Sequence, residues 1–137
     1  MRSATGQLSG VRRWCAVLSF AVLACAEAQS AVTADAVRGA ELYSSRCGAC
    51  HSIPENGAGP RHAGLIGRKA GTQPGFDYSE ALKSSRIVWD VKKLDKWLKD
   101  PNKLVPGNKM AVQLASDSKD REDIIAFLVE KAGSTAP

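Results

Sequence analysis

The run Cys47-Gly48-Ala49-Cys50-His51 constrains this chain more than any other stretch. A Cys-x-x-Cys-His run is the usual attachment signature of a c-type haem. Two thiols three positions apart can reach one porphyrin edge, and the histidine that follows can bind the iron as the proximal ligand. The motif therefore predicts one covalently bound haem c, with Cys47 and Cys50 as attachment residues and His51 as a metal ligand.

Three other interpretations of the same run remain open at the level of the motif. A thioredoxin-type redox pair would need a βαβ context and a thiol of low pKa. A zinc site would need a second Cys/His pair, and the only other histidine is His62. A simple disulfide would leave His51 without a role.

The first 28 residues have the pattern of a cleaved secretory signal peptide. Residues 1–13 carry three arginines and no acidic residue, and an apolar run follows at 14–26 with small residues towards its end. This run is shorter than the roughly 20 residues that a membrane-spanning helix needs. We therefore expect a signal peptide over 1–28, a folded domain over 29–137 and a periplasmic location.

Removal of a signal peptide changes the cysteine and charge counts. Cys47 and Cys50 would be the cysteines that remain, which is too few for a disulfide scaffold. Residues 29–137 hold 16 Lys and Arg against 13 Asp and Glu, a modest basicity that suits docking to a protein and comes with no nucleic-acid motif. One variant is a lipoprotein in which Cys25 is lipidated, and membrane association is expected only in that case.

Apolar residues recur at helical spacing in three segments, which predicts an all-α domain. The first helix begins near Thr33 or Asp35 and runs into Arg46, and a second extends over 90–100 until Pro101 stops it. The third is capped within 116–118 and ends at a glycine, residue 133. A short helical turn is predicted after the serine at position 79, and no segment alternates as a strand does.

Met110 is the candidate for the sixth iron ligand, because it follows a Pro-Gly turn and is the only methionine besides Met1. A thioether suits a low-spin His/Met iron of high potential. The competing interpretations are that Met110 only fills the core, or that His62 is the ligand.

Taken together, these features resemble the small soluble class I cytochromes c, in particular the mitochondrial-type group that includes bacterial photosynthetic and respiratory carriers. The resemblance covers roughly 39–132 and implies the small cytochrome c fold, in which N- and C-terminal helices cross and long loops enclose one haem. The motifs that carry it are Cys47-Gly48-Ala49-Cys50-His51, Gly59-Pro60, residues 64–71, residues 75–79, Trp89, residues 106–110 and residues 121–128.

The resemblance also implies roles for individual residues. Pro60 would accept a hydrogen bond from His51, while Tyr78 and Trp89 would bind a haem propionate with Arg68 nearby. Gly39 and Tyr43 would meet the C-terminal helix. Four positions depart from the family pattern. His62 replaces a leucine, Leu82 replaces a frequent asparagine, and Val112 replaces an aromatic residue at the haem edge. Trp97, also expected at the haem, replaces the tyrosine that commonly bonds the ligand sulfur.

The function implied is one-electron carriage in an exported electron-transport chain, without enzymatic activity. Its partners would be a reductase and an oxidase, docking on a lysine-rich rim that includes Lys99, Lys103 and Lys109. The alternative is a dedicated cytochrome subunit that takes electrons from the catalytic partner of a periplasmic dehydrogenase.

Overall fold

Five helices order the chain in the computed structural model, which describes residues 33–133. They are α1 (Ala36–Arg46), α2 (Glu80–Ser84), α3 (Val91–Lys99), α4 (Pro101–Leu104) and α5 (Ser118–Ala132). The predicted signal peptide and Cys25 lie outside the described residues. Among the helices that are described, none is long and apolar enough to cross a membrane.

Side-chain caps explain where the helices begin. Asp35 accepts hydrogen bonds from two amides of α1, Asp90 caps α3, and Asp117 caps α5. The predicted helices are therefore confirmed to within a few residues. Pro101 does more than end α3, because it also occupies the first position of α4, where its missing N–H costs no hydrogen bond.

Helices α1 and α5 cross at Gly39. A Cβ atom at this position would lie 2.0 Å from the backbone oxygen of Asp123 and 3.0 Å from Cβ of Phe127. Only glycine therefore allows the two backbones to approach so closely. One turn further along α1, the Tyr43 ring packs at 5.0 Å on Phe127, so the predicted crossing of the terminal helices is present.

A cluster of ion pairs links α1 and α5 next to this crossing. Asp120 and Asp123 are 1% and 0% exposed. Asp123 accepts hydrogen bonds from the Asp35 amide at 2.7 Å, from Arg38 Nη1 at 2.5 Å and from Lys119. Burial on its own would raise the pKa of Asp123, but these donors outweigh it and hold the pKa at about 2. The carboxylate is thus ionised in the folded protein.

Apart from α2, the chain between α1 and α3 is irregular, with one antiparallel bridge between Lys69 and Val88. Next to it, the Trp89 amide donates to Arg68 O at 3.0 Å and the Gly67 amide donates to Trp89 O at 2.9 Å. These bonds bring Arg68 and Trp89 side by side. The apolar faces of α3 and α5 meet below them, with Leu94, Leu98, Ile124, Ile125 and Leu128 buried.

Candidate haem site

The three motif residues Cys47, Cys50 and His51 lie on one tight turn at the end of α1. The Cys50 and His51 amides both donate to Cys47 O, at 3.0 and 2.9 Å, and the Cys47 amide continues the helix by donating to Tyr43 O. Two thiols and one imidazole consequently line the same cleft. This is the arrangement that attachment to one porphyrin edge requires.

The His51 ring is held in its own plane by a hydrogen bond between Nδ1 and Pro60 O, 2.7 Å apart. Since a carbonyl can only accept, Nδ1 carries the proton and Nε2 is left with its lone pair for a metal. A Cβ atom on Gly59 would lie 2.3 Å from the ring, so only glycine lets the chain pass this closely. Pro60 therefore fixes the tautomer of His51, and Gly59 leaves space for its ring.

His62, which the sequence left as a rival ligand, lies beside His51. The two rings are stacked, with centroids 4.4 Å apart and planes inclined by 18°. The Tyr43 hydroxyl is 3.0 Å from His62 Nδ1. Enclosure by protein lowers the pKa of His62 to about 3, and the charges of His51 and Arg68 act in the same direction. His62 is therefore neutral. Because its ring is stacked on His51, it does not face that residue across the cleft, which argues against His62 as the second axial ligand.

Met110 lies on another part of the cleft, in a loop that follows α4. Its amide donates to the side-chain oxygen of Asn108 at 2.7 Å, and the Asn108 amide group donates to Asn102 at 3.0 Å. Trp97 Nε1 donates to Met110 Sδ at 3.0 Å. The indole thus supplies a hydrogen bond to the thioether at the position where the family commonly has a tyrosine.

Arg68, Tyr78 and Trp89 form a polar corner of the same cleft. Arg68 donates to Ala63 O at 2.7 Å, Gln73 Oε1 at 2.5 Å and Arg61 O at 3.0 Å. Burial raises the pKa of Tyr78, so its hydroxyl keeps its proton at neutral pH. Trp89 is 7% exposed and lines the cleft together with Arg68 and Tyr78. A guanidinium, a phenol and an indole at one corner fit an anionic group there.

All nine residues predicted from the sequence line one cleft of about 300 Å³. They are Cys47, Cys50, His51, Pro60, Arg68, Tyr78, Trp89, Trp97 and Met110. The remaining lining is largely aliphatic, including Leu65, Leu94, Leu98 and Leu128. The cleft is an apolar slot with two thiols, an imidazole and a thioether on its walls and a polar corner at one end. This set of groups fits a haem whose propionates lie at the polar corner.

The competing interpretations of the motif fit the cleft less well. Burial raises the pKa of the Cys47 thiol to about 11, the opposite of what a thioredoxin-type nucleophile needs. No group of three or more His, Cys, Asp or Glu side chains in the described part of the chain could hold a metal ion such as zinc. Cys47 and Cys50 are not joined by a disulfide.

Comparisons with known proteins agree with this geometry. The family model described as cytochrome c matches residues 36–131. The chain belongs to the cytochrome c family. It is 48% identical over 96 residues to cytochrome c of Euglena viridis, covering 69% of this chain and 94% of that protein. It is 40% identical over 102 residues to cytochrome c2 of Rhodomicrobium vannielii, covering 72% and 81%.

A solved structure gives the same result for the fold. Cytochrome cH from Methylobacterium extorquens superposes with a TM-score of 0.67 at 45% identity, covering 71% of this chain and 99% of that one. The predicted all-α cytochrome c fold is therefore confirmed. As in the rest of the family, the cofactor is one covalently attached haem c, and the protein is a haem-based electron carrier that works with redox partners and is not an enzyme.

Three contributors to the site were missed by sequence reasoning. Gln73 is 5% exposed and holds Arg68, yet nothing in its neighbourhood marks it as buried. Arg121 links the loop that carries Met110 to α5, since its Nη1 donates to Leu114 O at 2.7 Å. Tyr43 was expected only at the helix crossing. Its hydroxyl also contacts His62. The two residues are 19 positions apart, so no local sequence pattern predicts this contact.

Proposed function

We propose that this protein is an exported one-electron carrier of a periplasmic electron-transport chain, with Cys47 and Cys50 as its thioether residues and His51 and Met110 as its axial ligands. The observation that carries the assignment is the common cleft onto which all four side chains open. Haem bound there supplies an iron that gains or loses a single electron. The redox partner is the source or the acceptor of that electron.

Each residue of the cleft then has a defined task. His51 presents Nε2 because Pro60 holds the proton on Nδ1. Met110 presents its sulfur, and the hydrogen bond from Trp97 withdraws electron density from it, which favours the reduced state. Trp89 and Arg68 offer a donor and a positive charge to a propionate, so that no anion is buried without a partner.

The lysines of α3 are the surface we propose for docking. Lys92, Lys96 and Lys99 follow the i, i+4, i+7 spacing, which places them in one row along the helix. Lys103 follows on α4. All four are exposed, and none forms an ion pair with a carboxylate of residues 33–133. We call these four residues the α3 row.

The other side of the expected rim carries less free charge. Lys109 Nζ lies 2.9 Å from Asp77 Oδ2, and Lys83 lies 2.9 Å from Glu80 and 3.7 Å from Asp77. These pairs compensate their own charges. The hydrogen bond from Asn108 to Asn102 joins the end of the α3 row to the loop of Met110. An acidic partner drawn to this row would therefore arrive beside the haem pocket, and exposed charges of this kind act mainly on the rate of encounter.

The covalent attachment of haem and the export of the protein are tested on the mature holoprotein. After acid–acetone extraction the colour should stay with the polypeptide, and its mass should equal the chain from about residue 29 plus one haem. A mass that retained residues 1–28 would contradict export by cleavage, and a lipid-sized increment at Cys25 would indicate the lipoprotein variant. A Cys50→Ser protein that matured with both thioether bonds would contradict the attachment assignment.

The docking assignment is tested with small redox probes. Electron transfer to ferricyanide, an anion, should slow as ionic strength rises beyond about 0.1 M, where the Debye length is about 10 Å. A Lys96→Glu/Lys99→Glu protein should react several-fold more slowly at low salt. The matched control is Lys83→Glu/Lys131→Glu, which makes the same change in net charge at lysines that are already ion-paired.

Equal losses in the two double variants would mean that only net charge matters and would contradict a docking role for the α3 row. With tris(phenanthroline)cobalt(III), a cation, the salt dependence should reverse. Rates independent of ionic strength in every protein, together with a native mass that includes a second polypeptide, would instead favour the dehydrogenase-subunit alternative.

A further inference from the structure

His62 forms a second restraint on His51, separate from the hydrogen bond to Pro60. The Pro60 carbonyl acts in the plane of the His51 ring, at 2.7 Å from Nδ1. The His62 ring packs on the face of the His51 ring, with 4.4 Å between the two centroids and an angle of 18° between the two planes. Turning His51 about its Nε2 axis would break both contacts, because Nδ1 would leave the carbonyl and the faces would cease to be parallel.

Tyr43 in turn fixes His62. Its hydroxyl lies 3.0 Å from Nδ1 of His62, and its ring meets that imidazole edge-on, with centroids 5.6 Å apart and an angle of 66°. Tyr43 is 6% exposed and packs against Phe127 at the crossing of α1 and α5. The position of the His62 ring is thus linked through Tyr43 to the crossing of α1 and α5.

We propose that Tyr43 and His62 act together as positioning residues that set the rotational orientation of the His51 imidazole. An aliphatic side chain at position 62 could fill the same space but would not favour one plane of the neighbouring ring, whereas two flat rings do. The inference rests on the proposed role of His51 as the proximal ligand.

The orientation of an axial imidazole has a direct spectroscopic consequence. In an oxidised low-spin haem protein, the plane of the axial imidazole, together with the orientation of the second axial ligand, sets which iron d orbital holds the unpaired electron. The order and spread of the haem methyl proton resonances report that choice. A side chain that only stabilised the fold would change the melting temperature without changing this pattern.

The experiment compares proton NMR spectra of oxidised holoproteins. His62→Leu removes the ring and its nitrogen, and should change the order or the spread of the four methyl resonances. His62→Phe keeps a flat ring and should stay closer to the wild-type pattern. Tyr43→Phe loses only the hydroxyl and should give a smaller change of the same kind, which disappears in a His62→Leu background because the hydroxyl then has no ring nitrogen to meet.

Ile125→Ala is the control, since Ile125 is 3% exposed in α5 but is not one of the residues that line the cleft of the two histidines. It should lower the melting temperature and leave the methyl pattern unchanged. A wild-type pattern in His62→Leu would overturn the inference, as would equal changes in His62→Leu and His62→Phe. If His62→Leu does not mature, Tyr43→Phe decides by itself, and an unchanged pattern there overturns the inference.

The outcome is separable from that of the proposed function. A wild-type protein without the spectrum of a His/Met low-spin haem would contradict the ligand assignment before any variant is made. A normal wild-type spectrum with insensitive His62 and Tyr43 variants would contradict only the positioning role.

Discussion

The two proposed iron ligands are held by surroundings of different stiffness. The imidazole of His51 is restrained by the Pro60 carbonyl, the backbone of Gly59 and the ring of His62, and through His62 by the crossing of α1 and α5. The sulfur of Met110 receives one hydrogen bond, from Trp97. The three residues after Met110 are exposed. The chain is tied again at Gln113, whose side chain donates to Asp100 at 3.2 Å, and at Leu114, whose amide donates to Leu98 O at 2.7 Å.

This difference in restraint is expected to affect electron transfer. A rigid imidazole keeps its geometry in both oxidation states, so little reorganisation accompanies the gain or loss of an electron on that side. A thioether on a short loop is the ligand whose bond can weaken first. We therefore expect perturbations of the Met110 loop to act on the reduction potential, and perturbations around His51 to act on stability and on the orientation of the ring.

The largest effect is expected from Met110→Ala. It removes the sulfur ligand, so the weak absorption of oxidised iron bound to sulfur, near the red end of the spectrum, should vanish. The potential should fall by on the order of 0.1 V or more, because the soft thioether favours the reduced metal. Spectroelectrochemical titration measures both quantities. Persistence of the absorption would show that it does not arise from the Met110 sulfur and would contradict the ligand assignment.

A smaller effect, confined to the stiff side, is expected from Asp123→Asn. In the unfolded chain this carboxyl should titrate near its ordinary pKa of about 3.9, whereas the folded pKa is about 2. A lowered folded pKa stabilises the protein above about pH 4, and this contribution is lost as the pH falls towards 2. Wild type should therefore exceed the variant in unfolding free energy at pH 7, and the difference should shrink between pH 4 and pH 2.

Chemical denaturation of the holoprotein at several pH values provides the measurement. Asp90→Asn is the control, because it removes a carboxylate from an exposed ion pair while asparagine still caps α3. It should change stability little at any pH. If the difference in unfolding free energy between wild type and Asp123→Asn stayed constant from pH 7 to pH 2, the ionised carboxylate would not be the group that stabilises the contact between α1 and α5.

The smallest effect is expected from Trp97→Phe, which removes the donor to the Met110 sulfur. Loss of one hydrogen bond of about 0.5–1.5 kcal/mol corresponds to roughly 20–60 mV for a one-electron couple. The potential should fall by about that amount, while the sulfur absorption remains. Trp97→Tyr restores a donor and should recover part of the loss. An unchanged potential in Trp97→Phe would mean that the hydrogen bond is equally strong in both oxidation states.

Much of this protein could be predicted from local sequence. The Cys47–His51 motif indicates the cofactor because thiol spacing along one turn is a local property. Asp35, Asp90 and Pro101 mark helix ends for the same reason, since a cap bonds to amides within three residues of itself. The apolar periodicity of α1, α3 and α5 then follows from burial of one helix face.

Only the tertiary structure decided the rest. It stacked His62 on His51, brought the Tyr43 hydroxyl to His62 and placed the Trp97 indole against the Met110 sulfur. It also buried Asp123 beside Arg38 of α1 and Lys119 of its own helix. Each of these contacts joins residues that are distant in sequence or depends on the direction in which a side chain points. Such contacts are fixed by the crossing of α1 and α5 and by the folding of the loops around the cleft, and no pattern of neighbouring residues encodes them.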